Sequence, residues 1–355
     1  MNLERLFTHL KSQLGYQWYK FARRRFFWEV VRADGAMGFC AWAGKEAKHY
    51  FGRYYLEGDP TLRGRRRWNW GAVHQTAKLR LARDGIVVAD PAVDLGDLPG
   101  IKLTWPKSVD LRVEMPTNWA DFWDGLGSSA KAEARRLRKT EFRFVDSTDR
   151  NRVQEFYTHQ LVPSLRSVHG ETAFTDTLAG TLRVFDCRGE FVEVWQDDEW
   201  VGGMLATNYE DRYRLRRFGW RLGKNNLRRQ GILAAMYLFG MKRTIERKRR
   251  WLDLGDVPPF LEDGLMAFKS KWGAQLFQRG EQWPVWQVVV DPNHADSRRF
   301  FRKNSLVLPN ATTGKFDVLS ERRREDVKIA PALDDSLGEW MDLSDLMARE
   351  KTGDV

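Results

Sequence analysis

Residues Trp251 to Ala274 read WLDLGDVPPFLEDGLMAFKSKWGA. The short run Trp251-Leu252-Asp253-Leu254-Gly255 has the length and bounding turn of a buried strand. An acidic loop follows, with Asp256, Pro258, Pro259, Glu262 and Asp263. Gly264-Leu265-Met266-Ala267-Phe268-Lys269 and then Lys271-Trp272-Gly273-Ala274 close the stretch. A long helical segment lies directly upstream. In α/β proteins, polar groups at the end of a strand that follows a helix are where chemistry is usually done.

The flanking sequence extends this pattern upstream. Phe191 to Trp195 alternates as a strand, Asp197-Asp198-Glu199 is a turn, and Trp200 to Thr207 is a strand containing Gly202 and Gly203. Arg212 to Trp220 is a third strand. Gly223 to Arg229 is a basic, turn-rich loop, and a helix is predicted from about Leu227 to Lys248. Earlier still, Trp119, Phe122, Trp123 and Leu126 form one helix face. Ser128-Ser129 is placed to cap a second helix, Lys131 to Thr140, dense in Lys131, Arg135, Arg136, Arg138 and Lys139. Phe142 to Val145 reads as a strand and Asp149 to Val162 as a helix.

In the first third, Leu3, Leu6, Phe7, Leu10, Leu14, Trp18 and Phe21 make one helical stripe. It packs on its own domain or lies on an anionic membrane. Phe26 to Val31, the Asp34-Gly35 turn and Met37 to Trp42 read as a hairpin, and Tyr50 to Leu56 as a strand. Gly58 to Arg67 reads as a basic loop, Trp70 to Arg83 as a helix, and Gly85 to Pro91 as a buried strand with its turn. Tyr54 to Pro91 thus lines up with Phe218 to Asp256. That order suggests a weak internal duplication, with recurrence of common α/β parts as the alternative. The tail after Arg302 is polar and charged, with a short docking helix expected within Ala330 to Met347 and flexibility elsewhere.

A chain of 355 residues is long enough for two domains. Its net charge of +11 favours anionic partners: nucleic acid, a phosphorylated cofactor or an anionic membrane surface. Cys40 and Cys187 are too few for a disulfide framework or a zinc site. The six histidines show no metal-ligand spacing, so no metal is expected. There is no secretory pattern and no apolar run near the roughly 20 residues of a spanning helix. A cytoplasmic protein is expected, peripheral at the inner membrane face if the N-terminal stripe meets lipid.

Hairpin, third strand, basic Gly-containing loop, long helix, strand: this order resembles the core of the GNAT N-acyltransferase fold. Ala134-Arg135-Arg136-Leu137-Arg138-Lys139, the helix Val153 to Tyr157, Val201-Gly202-Gly203-Met204, Trp251 to Gly255, and Phe268-Lys269-x-x-Trp272-Gly273-Ala274 resemble the FemAB-like and CelD-like branch. The likeness covers roughly Pro116 to Asp291. It implies an α/β (α+β) GNAT fold, a mixed central sheet flanked by helices, with two GNAT-like lobes in tandem. The expected division is 1–115 as an N-terminal lobe with its leading helix, 116–302 as the acyltransferase lobe, and 303–355 as a polar tail. One departure stands out. Arg228-Arg229-Gln230-Gly231-Ile232-Leu233 keeps the Arg and Gly of the acetyl-CoA loop pattern [RQ]-x-x-G-x-[GA] but ends in Leu233.

Acyl transfer to an amine requires a held donor, a neutral amine, donors for the developing oxyanion, and a path for the proton. A Gly-containing loop entering a helix offers N–H groups and a positive dipole end to phosphates. Lys224, Arg228, Arg229 and Gly231 are the candidates for that task; the bland alternative is a solvated basic turn. By resemblance, Lys269 sets a cation near the reacting carbonyl; the alternative is a surface lysine paired with Glu262 or Asp263. Asp253 and Asp256 are candidate proton acceptors, or turn residues. Arg135, Arg138, Glu262 and Asp263 are candidate substrate contacts. No Ser-His-Asp or Cys-His order points to an acyl-enzyme. The expected activity is N-acyl transfer from acyl-CoA, acetyl-CoA first, to an amine of an amino sugar, glycan precursor or peptide. The alternatives are an aminoacyl-tRNA-dependent peptide ligase and a non-catalytic module binding RNA or an anionic glycan.

Overall fold

The computed structural model describes residues 26–32, 60–67, most of 75–89, 95–137, 140–169, 176–222, 227–278 and 285–352. Fifteen strands and their helices are named in chain order. The strands are β1 (Phe26–Arg32), β2 (Pro60–Arg67), β3 (Ile86–Ala89), β4 (Ile101–Pro106), β5 (Val109–Glu114), β6 (Arg143–Ser147), β7 (Gly189–Gln196), β8 (Glu199–Asn208), β9 (Arg212–Trp220), β10 (Trp251–Val257), β11 (Gln275–Phe277), β12 (Val285–Val290), β13 (Leu306–Pro309), β14 (Phe316–Leu319) and β15 (Leu337–Met341). The helices used below are α1 (Trp119–Gly125), α2 (Ser128–Leu137), α3 (Arg150–Phe156), α4 (Val162–His169), α5 (Leu178–Arg188), α6 (Ile232–Glu246), α7 (Gly264–Ser270), α8 (Ala295–Lys303) and α9 (Leu343–Thr352).

The principal sheet has seven strands in the order β11-β5-β10-β9-β8-β7-β6. β8 lies inside it, between β9 and β7: Val201 to Thr207 are all buried, as a strand covered on both faces requires. β6 to β9 run antiparallel to one another, while β9 and β10 are parallel and are joined through α6. α6 buries Ile232, Ala234, Ala235, Met236, Tyr237, Gly240, Met241 and Thr244. Gly240 lets it lie close to β9, since a Cβ there would sit 2.8 Å from Leu215 Cδ2. The opposite face carries α3, a π turn (Tyr157–Leu161), α4 and α5. Gly219 permits that contact: its Cβ would lie 2.6 Å from the Leu161 backbone. The architecture is mixed α/β, a mixed sheet flanked by helices.

β9 and β10 pair over only three positions, Trp251↔Arg212, Leu252↔Tyr213 and Asp253↔Arg214. Two irregularities then separate them. β10 bulges between Asp253 and Asp256, with Gly255 at φ +73°, before it pairs with β5 again. β9 carries Arg216 as an extra residue opposite the Leu205–Ala206 step of β8. Bulges bend strands and re-aim side chains, so the two strands part and leave an opening in the sheet.

β5 lies on the N-terminal side of the expected 115/116 boundary, yet it runs inside this sheet between β10 and β11. β3, β12 and β4 form a second, antiparallel sheet, and Phe300 and Phe301 of α8 fill its core with Trp105. β3 therefore takes a different place from β10, its counterpart in the supposed duplication. The stretch expected as a basic loop, Gly58 to Arg67, contains β2, which pairs antiparallel with β1. Tyr50–Leu56, Met37–Trp42 and the stripe of residues 3–21 lie outside the described residues.

The tail differs from expectation. β13, β14 and β15 form a third sheet and bury Leu306, Phe316, Val318, Leu319 and Leu337. These strands have only four or five residues each, interrupted by charged turns, so their alternation is diluted in the sequence.

Candidate functional site

The opening between β9 and β10 is the floor of a cleft of about 840 Å³. Leu233, Ala234 and Tyr237 of α6 line it on one face of the sheet; Leu161, Ser164, Leu165 and Val168 line it on the other. The cleft therefore runs through the sheet, joining both faces. Arg214, Arg216, Arg217, Arg228 and Lys269 bring positive charge to it, against Glu133 and Asp256.

Lys269 arrives here through local structure. Asp263 caps α7, its Oδ1 accepting from the N–H groups of Leu265 (2.8 Å) and Met266 (3.1 Å). Phe268 sets its ring edge against Tyr237, with centroids 5.2 Å apart. Trp272 is fully buried, and Gly273, at φ +86°, turns the chain into β11. The spacing from Phe268 to Gly273 is thus a core contact, a cleft residue, a core anchor and a left-handed turn.

The Lys269 side chain is 4% exposed. Its Nζ donates to the carbonyl oxygens of Gly255 (3.3 Å) and Asp256 (3.2 Å), the bulged end of β10. Burial pushes its pKa down to about 8, against the opposing pull of Asp256, Asp253 and Asp110. The pairing with Glu262 or Asp263 does not form, because both carboxylates serve the fold. Glu262 accepts from the N–H (2.7 Å) and Oγ (2.6 Å) of Ser305 and from Arg322 (3.3 Å), which fastens the acidic loop to the third sheet. Neither Glu262 nor Asp263 lines the cleft. The structure gives them roles as a brace and a cap; an acidic loop before a helix gives the same sequence signal as a substrate contact.

Asp253 lies beneath the cleft, 1% exposed, rather than on its wall. Its Oδ1 accepts from the N–H of Gly255 (2.8 Å) and fixes the bulge. Its Oδ2 faces Arg212 Nε (3.5 Å) and Arg214 Nε (3.7 Å). Arg112, Asp253 and Arg214 stand at matching positions on three adjacent strands. Burial lowers the pKa of Arg112, and Asp253 opposes that shift. A carboxylate facing this arginine cluster and fixing the bulge is suited to positioning. Asp256 is exposed at the mouth and reaches to 4.0 Å from Arg214.

Around the start of α6, Arg228 and Gly231 line the cleft, while Arg229 is exposed outside it. Gly231 has φ +92° and its N–H donates to the carbonyl of Arg228 (3.2 Å). Leu137 of α2 covers this turn, so that a Cβ on Gly231 would lie 2.6 Å from Leu137 Cδ2. Arg135 is exposed on α2 and does not line the cleft. Lys224 and Arg138 lie outside the described residues.

Sequence reading missed Arg214, Arg216, Arg217 and Tyr237. The arginines had a visible signal: Arg212, Arg214 and Arg216 alternate with Tyr213 and Leu215, one basic face of a strand. Tyr237 sits mid-helix in an apolar segment and is stacked on Phe218 at 5.2 Å. Burial raises its pKa, so the phenol keeps its proton. Among the described residues no cluster of His, Cys, Asp or Glu could hold a metal ion, and no helix is long and apolar enough to cross a membrane.

No family model and no curated protein matches the chain. Among solved structures, FemX overlaps at a TM-score of 0.41 and 11% identity, covering 71% of this chain and 80% of its own. L-PGS from Bacillus licheniformis gives 0.37 and 13%, covering 78% and 86%. A tandem GNAT protein from the clavulanic acid biosynthesis pathway gives 0.28 and 13%, covering 63% and 70%. These are partial likenesses of fold.

Proposed function

We propose that this chain is an N-acyltransferase of the GNAT-like type, working in the opening between β9 and β10. The observation that carries the reading is Lys269, a buried cation at the mouth of a cleft that reaches both faces of the sheet. Donor and acceptor then approach from opposite faces and meet at the opening. The amine nitrogen attacks the acyl carbon; the N–C bond forms and the bond to the leaving sulfur or oxygen breaks. Lys269 stabilises the oxyanion, an effect worth about 3 kcal/mol for a single well-placed donor. The amine's proton passes to Asp256, the exposed carboxylate at the mouth, or to water, and the leaving group takes up a proton in turn. With its pKa near 8, Lys269 is mainly an ammonium at pH 7.

For a CoA donor, Arg228 and the turn at Gly231 are the groups that would hold phosphates. No side chain caps α6, which suits that task. A second reading, aminoacyl-tRNA as donor, is favoured by one observation: Leu137 already covers Gly231, where a pyrophosphate would approach the backbone. The acceptor in either case is an amine on an amino sugar, glycan precursor, peptide or lipid.

Thermal shift with acetyl-CoA, longer acyl-CoAs and charged tRNA, each added alone, separates the readings. A saturable rise in Tm with a CoA and none with tRNA selects the first donor. The opposite pattern selects the second. No shift with any of them removes acyl transfer from this cleft.

A further inference from the structure

β9 presents its arginines on the face of the sheet turned away from α6. Leu215 and Phe218 face α6, through Gly240 and Tyr237. Arg214 lies on the other side with Asp253. Its guanidinium is poorly satisfied. Nε is shut off from solvent with no hydrogen-bond partner, and its ion pairs to Asp253 and Asp256 are long, 3.7 and 4.0 Å. Five N–H donors in a planar fork are suited to bidentate capture of an oxyanion.

Its neighbours are already fixed. Arg216 donates to Thr207 Oγ1 (3.3 Å) and to the Tyr209 hydroxyl (2.8 Å). Arg217 is tied to Asp176 and to the carbonyl of Arg216 (2.9 Å). Arg214, Arg216 and Arg217 all line the cleft, and the two already fixed add little further cost in side-chain entropy on binding. Beside them stands an apolar wall. Val168 is 37% and Leu265 is 40% exposed, two of the four large apolar side chains that stand out among the described residues, and both line this cleft with Leu165. Exposed apolar side chains grouped in a concave site mark a ligand surface more than scattered ones do.

We propose that this face of the cleft seats an anionic amphiphile: an alkyl phosphate whose head meets Arg214 and Arg216 and whose chain lies along Leu165 and Val168. The inference rests on the acyl-transfer reading only in calling this ligand the acceptor. It assigns a seat separate from Gly231 and Arg228, which serve the other face.

The test is calorimetric binding of octyl phosphate, inorganic phosphate and octyl glucoside to the full chain, with no donor present. Octyl phosphate is expected to bind at least tenfold more tightly than either of the others. Arg214→Gln should weaken it about tenfold, Val168→Asp should erase its advantage over inorganic phosphate, and Arg166→Gln, exposed on the same helix but outside the lining, should change nothing. Equal affinity for octyl phosphate and inorganic phosphate, or unchanged binding in Arg214→Gln, overturns the proposal. Val168 is exposed, so its variant keeps the test valid if Arg214→Gln fails to fold. Flotation with phosphatidylglycerol vesicles assigns the head group to a membrane lipid; octyl phosphate binding without flotation assigns it to a soluble ester. Because no turnover is measured, a chain that binds in this pattern yet transfers no acyl group loses the catalytic reading and keeps the seat.

Discussion

β9 has two neighbours and treats them differently. Against β8 it is paired from Gly202↔Trp220 to Asn208↔Tyr213, with glycines that let helices press on the seam from both faces. Against β10 it is paired over three residues and then released. The closed seam is lined by Met204, Leu205 and Ala206; the open one by Arg214, Asp256 and Lys269. The same strand thus packs on one edge and borders the cleft on the other. The closed seam is antiparallel and the open one parallel, and a bulge on β9 and another on β10 accompany the change.

The comparison can be broken from the closed side first. Gly219→Val drives a side chain into the Leu161 backbone and should cost about 3–4 kcal/mol, read by urea denaturation. On the open side the largest effect is on rate. Lys269→Ala should lower turnover about 100-fold, near 2.7 kcal/mol, and leave donor affinity within a few-fold; an unchanged rate removes Lys269 from the chemistry. In the wild type, turnover should fall as pH rises through about 8, where the cation is lost. Stability responds with the opposite sense. The folded-state pKa is depressed below 10.5, so the unfolded chain binds more protons between about 8 and 10.5, and stability rises with pH across that window. Lys269→Met should therefore be about 1–3 kcal/mol more stable than wild type at pH 7 while inactive, and a destabilised variant would refute the desolvation account.

Smaller effects sharpen the picture. Asp253→Asn keeps the shape but leaves Arg112, Arg212 and Arg214 without their carboxylate. It should cost about 2 kcal/mol, below the usual figure for a broken buried pair because those arginines are partly hydrated. Asp263→Ala removes only the α7 cap, about 1 kcal/mol, with little change in rate. A large rate loss there would return Asp263 to the site.

What the sequence disclosed follows from range. β7 to β10 and α6 are consecutive in the chain, and their periodicity is local, so Arg212 to Trp220 is read to the residue. The Phe268-Lys269 spacing points to the cleft because one short helix fixes it. Strand partners distant in sequence were hidden: β5 beside β10, β12 between β3 and β4, and the third sheet formed by the tail. Long-range pairing leaves no periodic trace in either strand. Acidic residues are ambiguous for a related reason. Asp253, Glu262 and Asp263 look alike as letters, and only tertiary partners reveal one as a counter-ion, one as a brace and one as a cap.

The bracing of the acidic loop bears on how this molecule can be taken apart. Residues 116–302, excised as a module, would leave β10 without β5 and Glu262 without Ser305 and Arg322. The exposed edge would invite another chain to pair with it. The mouth of the cleft is thus not a transplantable cassette; it is a joint made where early, middle and late parts of one polypeptide meet in the same wall.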